Sequence, residues 1–376
     1  MNDLGLYIHI PFCQKRCHFC AFSLQIHRED GAQAYLAALE RELALYALDE
    51  TICQRPVSTM YVGGGTPTVL SSEQLSFIFT LIKKVFSLQA GVEITVEATP
   101  DTVTAENLHG FRELGVTRLS MGAQSFEETE WKRLGRSGWC DTIMASVDLA
   151  HSSGFQNVNL DLMYGLPEQT LESWQTTLEK AVQLSPTHLS CYALTIEEGT
   201  RFSVDRRRGM LEDSNPLMEN AMEELAVSFL AGAGYQRYEI SNYAQSGFRC
   251  RHNLRYWQGL DYLGLGPSAQ SYVNGVRFGN IEDLGRYSQC LENGALPYAD
   301  VESLSTRQIN RERVVFGLRL MEGLPLQELE AFPRDHQWQS SINRFLQEGV
   351  LCQTQTSLKL TALGRRFVDS VAIELL

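Results

Sequence analysis

LGLYIHIPFCQKRCHFC, residues 4–20, decides how this chain is read. Its apolar start, LGLYIHI, reads as a buried strand. Directly after it, Cys13, Cys17 and Cys20 stand in C-x3-C-x2-C spacing. Three soft thiols this close point to one metal centre. Structural zinc sites use four ligands, usually as paired C-x2-C clusters or with histidines downstream. The sequence has no second cysteine pair. His9 and His18 lie nearby, but a residue adjacent to Cys17 is poorly placed to share its metal. Iron–sulfur clusters normally take four cysteines. Three leave one iron open to an outside ligand, and an open metal position marks chemistry rather than scaffolding.

The rest of the chain sets bounds on that centre. Its 376 residues suit one large α/β unit plus a smaller module. A formal net charge of −13 argues against a phosphate-tracking nucleic-acid binder. No apolar run approaches the roughly 20 residues of a membrane span. MNDLGLYIHIPF lacks the basic start and small-residue cleavage site of a signal peptide. A cytoplasmic protein is expected, and there nine cysteines are not a disulfide framework. The six scattered ones, Cys53, Cys140, Cys191, Cys250, Cys290 and Cys352, are expected to be small buried hydrophobes.

Outward from the cysteines, strand-like runs alternate with helical patterns. Strands are predicted at 4–10, 58–64, 92–98, 117–123, 155–165 and 187–195. Helices are predicted over 31–48, 71–86, 104–115, 127–153 (one or a pair) and 170–184. SSEQ at 71–74 fits a serine N-cap with a glutamate close behind. Six β-then-α units imply a parallel sheet with right-handed crossovers. Periodicity alone leaves an open doubly wound sheet and a partial barrel both standing. Three domains are expected: a core over 1–235, an aromatic-rich loop and strand segment over 236–302, and a helical module over 303–376. The last ends in a small β-hairpin and has a winged-helix-like pattern.

Further signals fall near the C-terminal ends of the predicted strands. YVGGGTPT, 61–68, offers three glycines and a pre-proline Thr66, a shaped ledge that lets backbone approach a ligand. It is no Walker loop, because Gly-Lys-Ser/Thr is missing. Glu97, Gln124 and Asp161 interrupt apolar strands, where polar groups are costly unless paired or used. In barrels this end of the strands binds ligands. Arg136 in LGRSG offers a cation to a carboxylate in the same pocket. In RHNLRYW, 251–257, His252 is read either as a core histidine or as a ligand to a metal or flat aromatic group.

The cysteine motif with an aromatic at Phe19 resembles the radical S-adenosylmethionine (SAM) superfamily. YIHIPFC, GGGTPT, SMGAQSF, NLDLMYGLPEQT, YEISNYA and RHNLRYW resemble one branch of it. That branch includes oxygen-independent coproporphyrinogen III oxidase and the haem chaperone HemW. The resemblance implies a partial (β/α)6 barrel with a smaller C-terminal module. It implies a [4Fe–4S] cluster on Cys13, Cys17 and Cys20, with SAM on the open iron, and haem as a further ligand. Tyr7 and Phe19 would lie beside cluster and SAM. Gly64, Gly65 and Thr66 would hold the SAM amino group and methionyl part, and Glu97, Gln124, Arg136 and Asp161 the rest. His252-Asn253-x-x-Tyr256-Trp257 matches a motif associated with haem.

Two departures from the oxidase favour the chaperone. Phe22 stands where the oxidase carries a further cysteine, and the motif begins at residue 13, without the oxidase's long preceding segment. LGRSG also lacks the histidine that often follows the arginine in the chaperones. The implied partners are haem, haem-accepting proteins such as those of respiratory membranes, and a second copy of the chain. The rival readings are the oxidase itself and a structural iron–sulfur or zinc module.

Overall fold

The computed structural model describes residues 2–136, 140–212, 215–332 and 336–376. All six predicted strands are present: β1 Leu4–Ile10, β2 Val57–Gly64, β3 Leu88–Ala98, β4 Arg118–Gln124, β5 Asn157–Tyr164 and β6 His188–Ala193. They lie side by side in chain order, and every neighbouring pair is parallel. The crossovers are helices: α1 Glu29–Tyr46, α2 Ser72–Val85, α3 Ala105–Leu114, α4 Cys140–Ser152 and α5 Leu171–Gln183. A short helix, Glu128–Arg133, precedes α4. This is the partial (β/α)6 barrel.

Local chemistry sets the helix starts. Ser71, Thr104 and Thr170 each accept the N3 backbone N–H, while the N3 side chain returns to the cap. The partner in the first box is Gln74, not the glutamate that SSEQ suggests. Glu73 sits one position too early to reach back.

Strand parity separates the core from the barrel interior. Ile94, Val96, Leu119, Met121, Val158 and Leu160 face the helices and join one large apolar cluster. The alternate positions, among them Glu97, Arg118, Ser120, Asn159 and Asp161, line a cavity inside the barrel. A side-chain period of two sends the two sets to opposite faces.

After α6 Pro216–Gly232, the segment from 236 on carries short strands, as expected of it, and these join the main sheet: β7 Gln236–Arg237 and β8 Asn242–Ala244 extend it beyond β6. On the other side β9 Tyr262–Leu265 pairs parallel with β1. The antiparallel strands β10 Gln270–Val273, β11 Val276–Asn280 and β12 Tyr298–Ser303 follow. RHNLRYW is a helix, α7 Arg251–Trp257, where no helical period was visible. Its cap comes from far away. The Glu93 carboxylate on β3 accepts the backbone N–H groups of Arg251 (3.1 Å) and His252 (3.0 Å). Its buried face carries His252 and Arg255 rather than apolar residues, which erases the hydrophobic pattern.

The C-terminal module has its own apolar cluster, including Val314, Leu318, Leu324, Trp338 and Phe345. Its three-stranded sheet joins Leu324–Pro325, Ser357–Leu360 and Leu351–Gln353. Among the described residues no helix is long and apolar enough to cross a membrane. The scattered cysteines correct the expectation in part. Cys191 and Cys250 are buried, but Cys53, Cys290 and Cys352 are only half-buried. The side chain of Cys140, like Ser137 and Gly138 of LGRSG, lies outside the described residues.

Candidate functional site

The strand ends and the cysteine loop enclose a cavity of about 420 Å³, within the usual size of a small-molecule site. Cys13, Cys17, Cys20, Phe19, Gly64, Gly65, Thr66, Glu97, Gln124, Arg136 and Asp161 all line it. Tyr7 and His252 do not.

Backbone packing fixes the cysteine loop. Gly65 N–H donates to Ile10 O (2.8 Å) and Thr66 N–H to Phe12 O (2.7 Å). A Cβ on Gly65 would meet Phe12 O at 2.4 Å, so only glycine allows this approach. Gly64, at φ +104°, leaves room for the His9 ring. On the far side the loop docks on 133–135. His18 Nδ1 bonds Arg133 O at 2.8 Å, and its backbone N–H bonds Leu134 O at 3.0 Å. His18 is thereby committed to positioning. His9 is committed too, with Tyr7 Oη at 3.1 Å and Ser23 O at 3.3 Å.

The three thiols all line the cavity from one loop. A cubane needs only one thiolate per iron. Burial lifts the Cys13 thiol to about 11, and Cys20 and Cys17 add to the rise. Iron ligation requires thiolates, so binding here is coupled to loss of protons. The Cys13 Sγ lies 3.4 Å from Thr66 Oγ1, which ties the loop to the glycine ledge. Arg136 places positive charge near Cys13 and Cys20. It donates to Gly122 O and lies over the Trp131 ring.

Deeper in the cavity the carboxyls take over. Glu97 accepts from Tyr61 Oη (2.7 Å) and Gly64 N–H (3.0 Å). Burial pushes it up to about 7, against the lowering effect of the Tyr61 bond. Asp161 is raised by burial, against bonds from Ser190 and Asn159. Gln124 ends β4 in the left-handed region, at φ +66°, where β4 slips register against β5. Such a conformation in a non-glycine residue is sparse and clusters at ligand sites. Its Oε1 accepts from Tyr192 Oη at 2.8 Å.

His252 sits behind this wall, 1% exposed. One ring nitrogen, Nδ1, bonds Thr59 Oγ1 and the other, Nε2, bonds Tyr256 Oη, each at 2.9 Å. Burial lowers its pKa to about 3, so the ring stays neutral. Tyr256 in turn lines a second cleft, of about 230 Å³, against Tyr262, Tyr272, Phe316 and Phe332. Tyr7 is half-buried outside the cavity lining, its ring 6.2 Å from Tyr61.

Several lining residues escaped the sequence reading: Arg118, Ser120, Asn159, Ser190, Tyr192 and Asn242. Their signal was available. In TRLSMGA, NVNLDLM and THLSCYA the polar residues recur at every second position of otherwise apolar strands.

Comparison with known proteins now adds to this geometry. The Radical SAM superfamily profile matches residues 7–181, and the HemN C-terminal domain profile matches residues 304–367. The chain is 34% identical over 369 residues to the haem chaperone HemW of Bacillus subtilis, spanning 97% of each chain. It is 36% identical to that of Haemophilus influenzae, covering 99% of this chain and 97% of the relative. The chain belongs to the HemW family of the radical SAM superfamily. Its fold also superposes on coproporphyrinogen III oxidase (HemN) from Escherichia coli, a radical SAM enzyme. The TM-score is 0.87 at 27% identity, over 100% of this chain and 90% of that one.

Proposed function

We propose that this protein is a haem chaperone. It binds a [4Fe–4S] cluster and SAM in the barrel cavity and passes haem to haem-requiring acceptors. The observation that carries the reading is end-to-end similarity to HemW proteins of two distant bacteria, on a chain whose three clustered cysteines face the cavity.

Within this reading each residue has a task. Cys13, Cys17 and Cys20 hold three irons as thiolates. Gly64, Gly65 and Thr66 present backbone to the SAM amino group and methionyl part. Arg136 supplies positive charge for its carboxylate. Glu97 and Asp161 keep acceptor oxygens in the cavity for its hydroxyls, and Gln124 shapes the wall between them. Phe19 and the half-buried Tyr7 pack beside the loop. When bound, SAM and a reduced cluster supply radical chemistry. Handing over haem does not call on it, so SAM serves here as a structural or regulatory ligand.

Haem is proposed to meet the chain around α7. The cleft beside Tyr256 offers aromatic rings from Tyr262, Tyr272, Phe316 and Phe332 with Arg277 and Arg313 among them, and His252 holds Tyr256 in place. His252→Ala is informative either way. Loss of affinity with an unchanged haem spectrum assigns positioning, and a changed spectrum assigns iron ligation.

The function is tested by loading the reconstituted chain with haem and mixing it with a haem-free respiratory cytochrome. Transfer at stoichiometric yield, faster than from free haem, is expected. Retention of all haem by the chain would refute the proposal.

A further inference from the structure

The cavity has a second end that the cofactor reading does not use. β4 begins at Arg118 and finishes at Gln124, beside the cysteine loop. At about 3.3 Å per residue, the two ends of this strand are about 20 Å apart. Arg118 is 1% exposed, yet it lines the cavity. Its Nε and Nη1 are buried and have no hydrogen-bond partner. Glu93, one of the carboxylates acting on it, is already engaged by the N–H groups of Arg251 and His252 and the thiol of Cys250. Glu97 and Asp161, nearer the cluster end, also feel its charge, and the rest of the wall around it is uncharged: Ser120, Asn159, Ser190, Asn242 and Asn253.

A buried guanidinium with idle donors is costly unless something pairs with it. Its planar fork matches a carboxylate. One arginine among amides and hydroxyls balances a single negative charge, and Glu97 and Asp161 above it disfavour a more highly charged anion.

We propose that the inner end of the cavity is a carboxylate-binding subsite centred on Arg118. It takes the acid group of a ligand other than SAM. This rests on the reading that SAM occupies the cluster end, since that places the SAM carboxylate at the other end of β4. Two sources carry the required group: a haem propionate and a small organic acid.

The first arm uses the full chain, with its cluster and without SAM, melted in propionate or in the neutral isostere propionamide at equal ionic strength. Propionate well above half-saturation should raise the midpoint by about 2 °C or more. Propionamide should not. Arg118→Met should abolish the shift and Arg118→Lys should keep part of it. The midpoint of Arg118→Met itself does not decide the question, because Arg118 also offsets the charges of Glu93, Glu97 and Asp161. A purely structural arginine would give no difference between propionate and propionamide. No propionate shift in the parent, or a shift that survives in Arg118→Met, overturns the proposal. If Arg118→Met does not fold, the parent and Arg118→Lys comparisons still decide it.

The second arm names the source. Haem should bind the parent about tenfold more tightly than haem dimethyl ester, and this ratio should collapse in Arg118→Met if the group is a propionate. An unchanged ratio, with the propionate shift intact in the parent, assigns a small organic acid. SAM binding is titrated separately. Its failure would defeat the cofactor reading while leaving the SAM-free melting comparison valid.

Discussion

Glu42 and Glu97 are both carboxyls deep in the fold, and burial pushes both up to about 7. Their surroundings differ. Glu42, on α1, is enclosed by three donors: Gly266 N–H at 2.8 Å, Asn280 Nδ2 at 2.6 Å and Tyr287 Oη at 2.6 Å. It lines neither of the two cavities described above and ties α1 to the β9–β10 turn and to the helix Leu284–Glu292. Glu97 has two donors and keeps part of its surface open to the cavity. A perturbed carboxyl is therefore not in itself a sign of function. The spare acceptor capacity facing a cavity separates Glu97, proposed above as a ligand-binding glutamate, from Glu42.

The contrast can be broken in four ways, taken from the largest effect down. Glu42→Ala leaves three buried donors without a partner and should cost about 3–5 kcal/mol in chemical denaturation. SAM affinity of the folded fraction should not change. If SAM binding fell with it, Glu42 would belong to the site.

The pH dependence comes next. A carboxyl whose folded pKa lies above its ordinary value makes the fold bind extra protons between the two. Stability is then present in full below 4.5 and is lost as pH rises through about 7. The loss is at most about 3 kcal/mol for Glu42 and smaller for Glu97, which meets cavity solvent. Denaturation between pH 5 and pH 8 should show this decline. Glu42→Gln and Glu97→Gln should each flatten it, and bound SAM should alter only the Glu97 share.

Glu97→Ala should weaken SAM binding about 100-fold, roughly 2.7 kcal/mol, read by calorimetry on the cluster-loaded chain. Its stability cost should be only about 1 kcal/mol, because cavity water can satisfy the groups left behind. Equal losses of binding and stability would erase the distinction from Glu42. The smallest effect is expected at Gly65→Ala. Its new Cβ meets Phe12 O, so the cysteine loop must shift, at about 2 kcal/mol. The measured sign would be a fall in iron and sulfide per chain with secondary structure retained.

The two regions also differ in how far the sequence revealed them. Cys13, Cys17 and Cys20 are close in the chain, so their convergence was readable from spacing. Glu97 and Asp161 stood out because polar residues interrupt apolar strands. The same period-two signal marked Arg118, Ser120 and Asn159, nearer the strand starts, where no ligand was expected. α7 was unreadable because its cap, Glu93, lies more than 150 residues upstream in the chain. The Glu42 node had no local signal either, since its partners Gly266, Asn280 and Tyr287 come from the other side of the sheet. His252 was readable as a choice between core histidine and ligand. The bonds to Thr59 and Tyr256 that bear on that choice form only in the fold.

If the chain works as a haem chaperone, as proposed, its cavity does not carry out the reaction of the related oxidase. The most direct measurement is anaerobic turnover. The chain, with four irons and SAM bound, is given a strong reductant and coproporphyrinogen III, and the products are searched for protoporphyrinogen IX. None is expected. Multiple turnovers to protoporphyrinogen IX would contradict the proposal and make this chain an enzyme of tetrapyrrole synthesis.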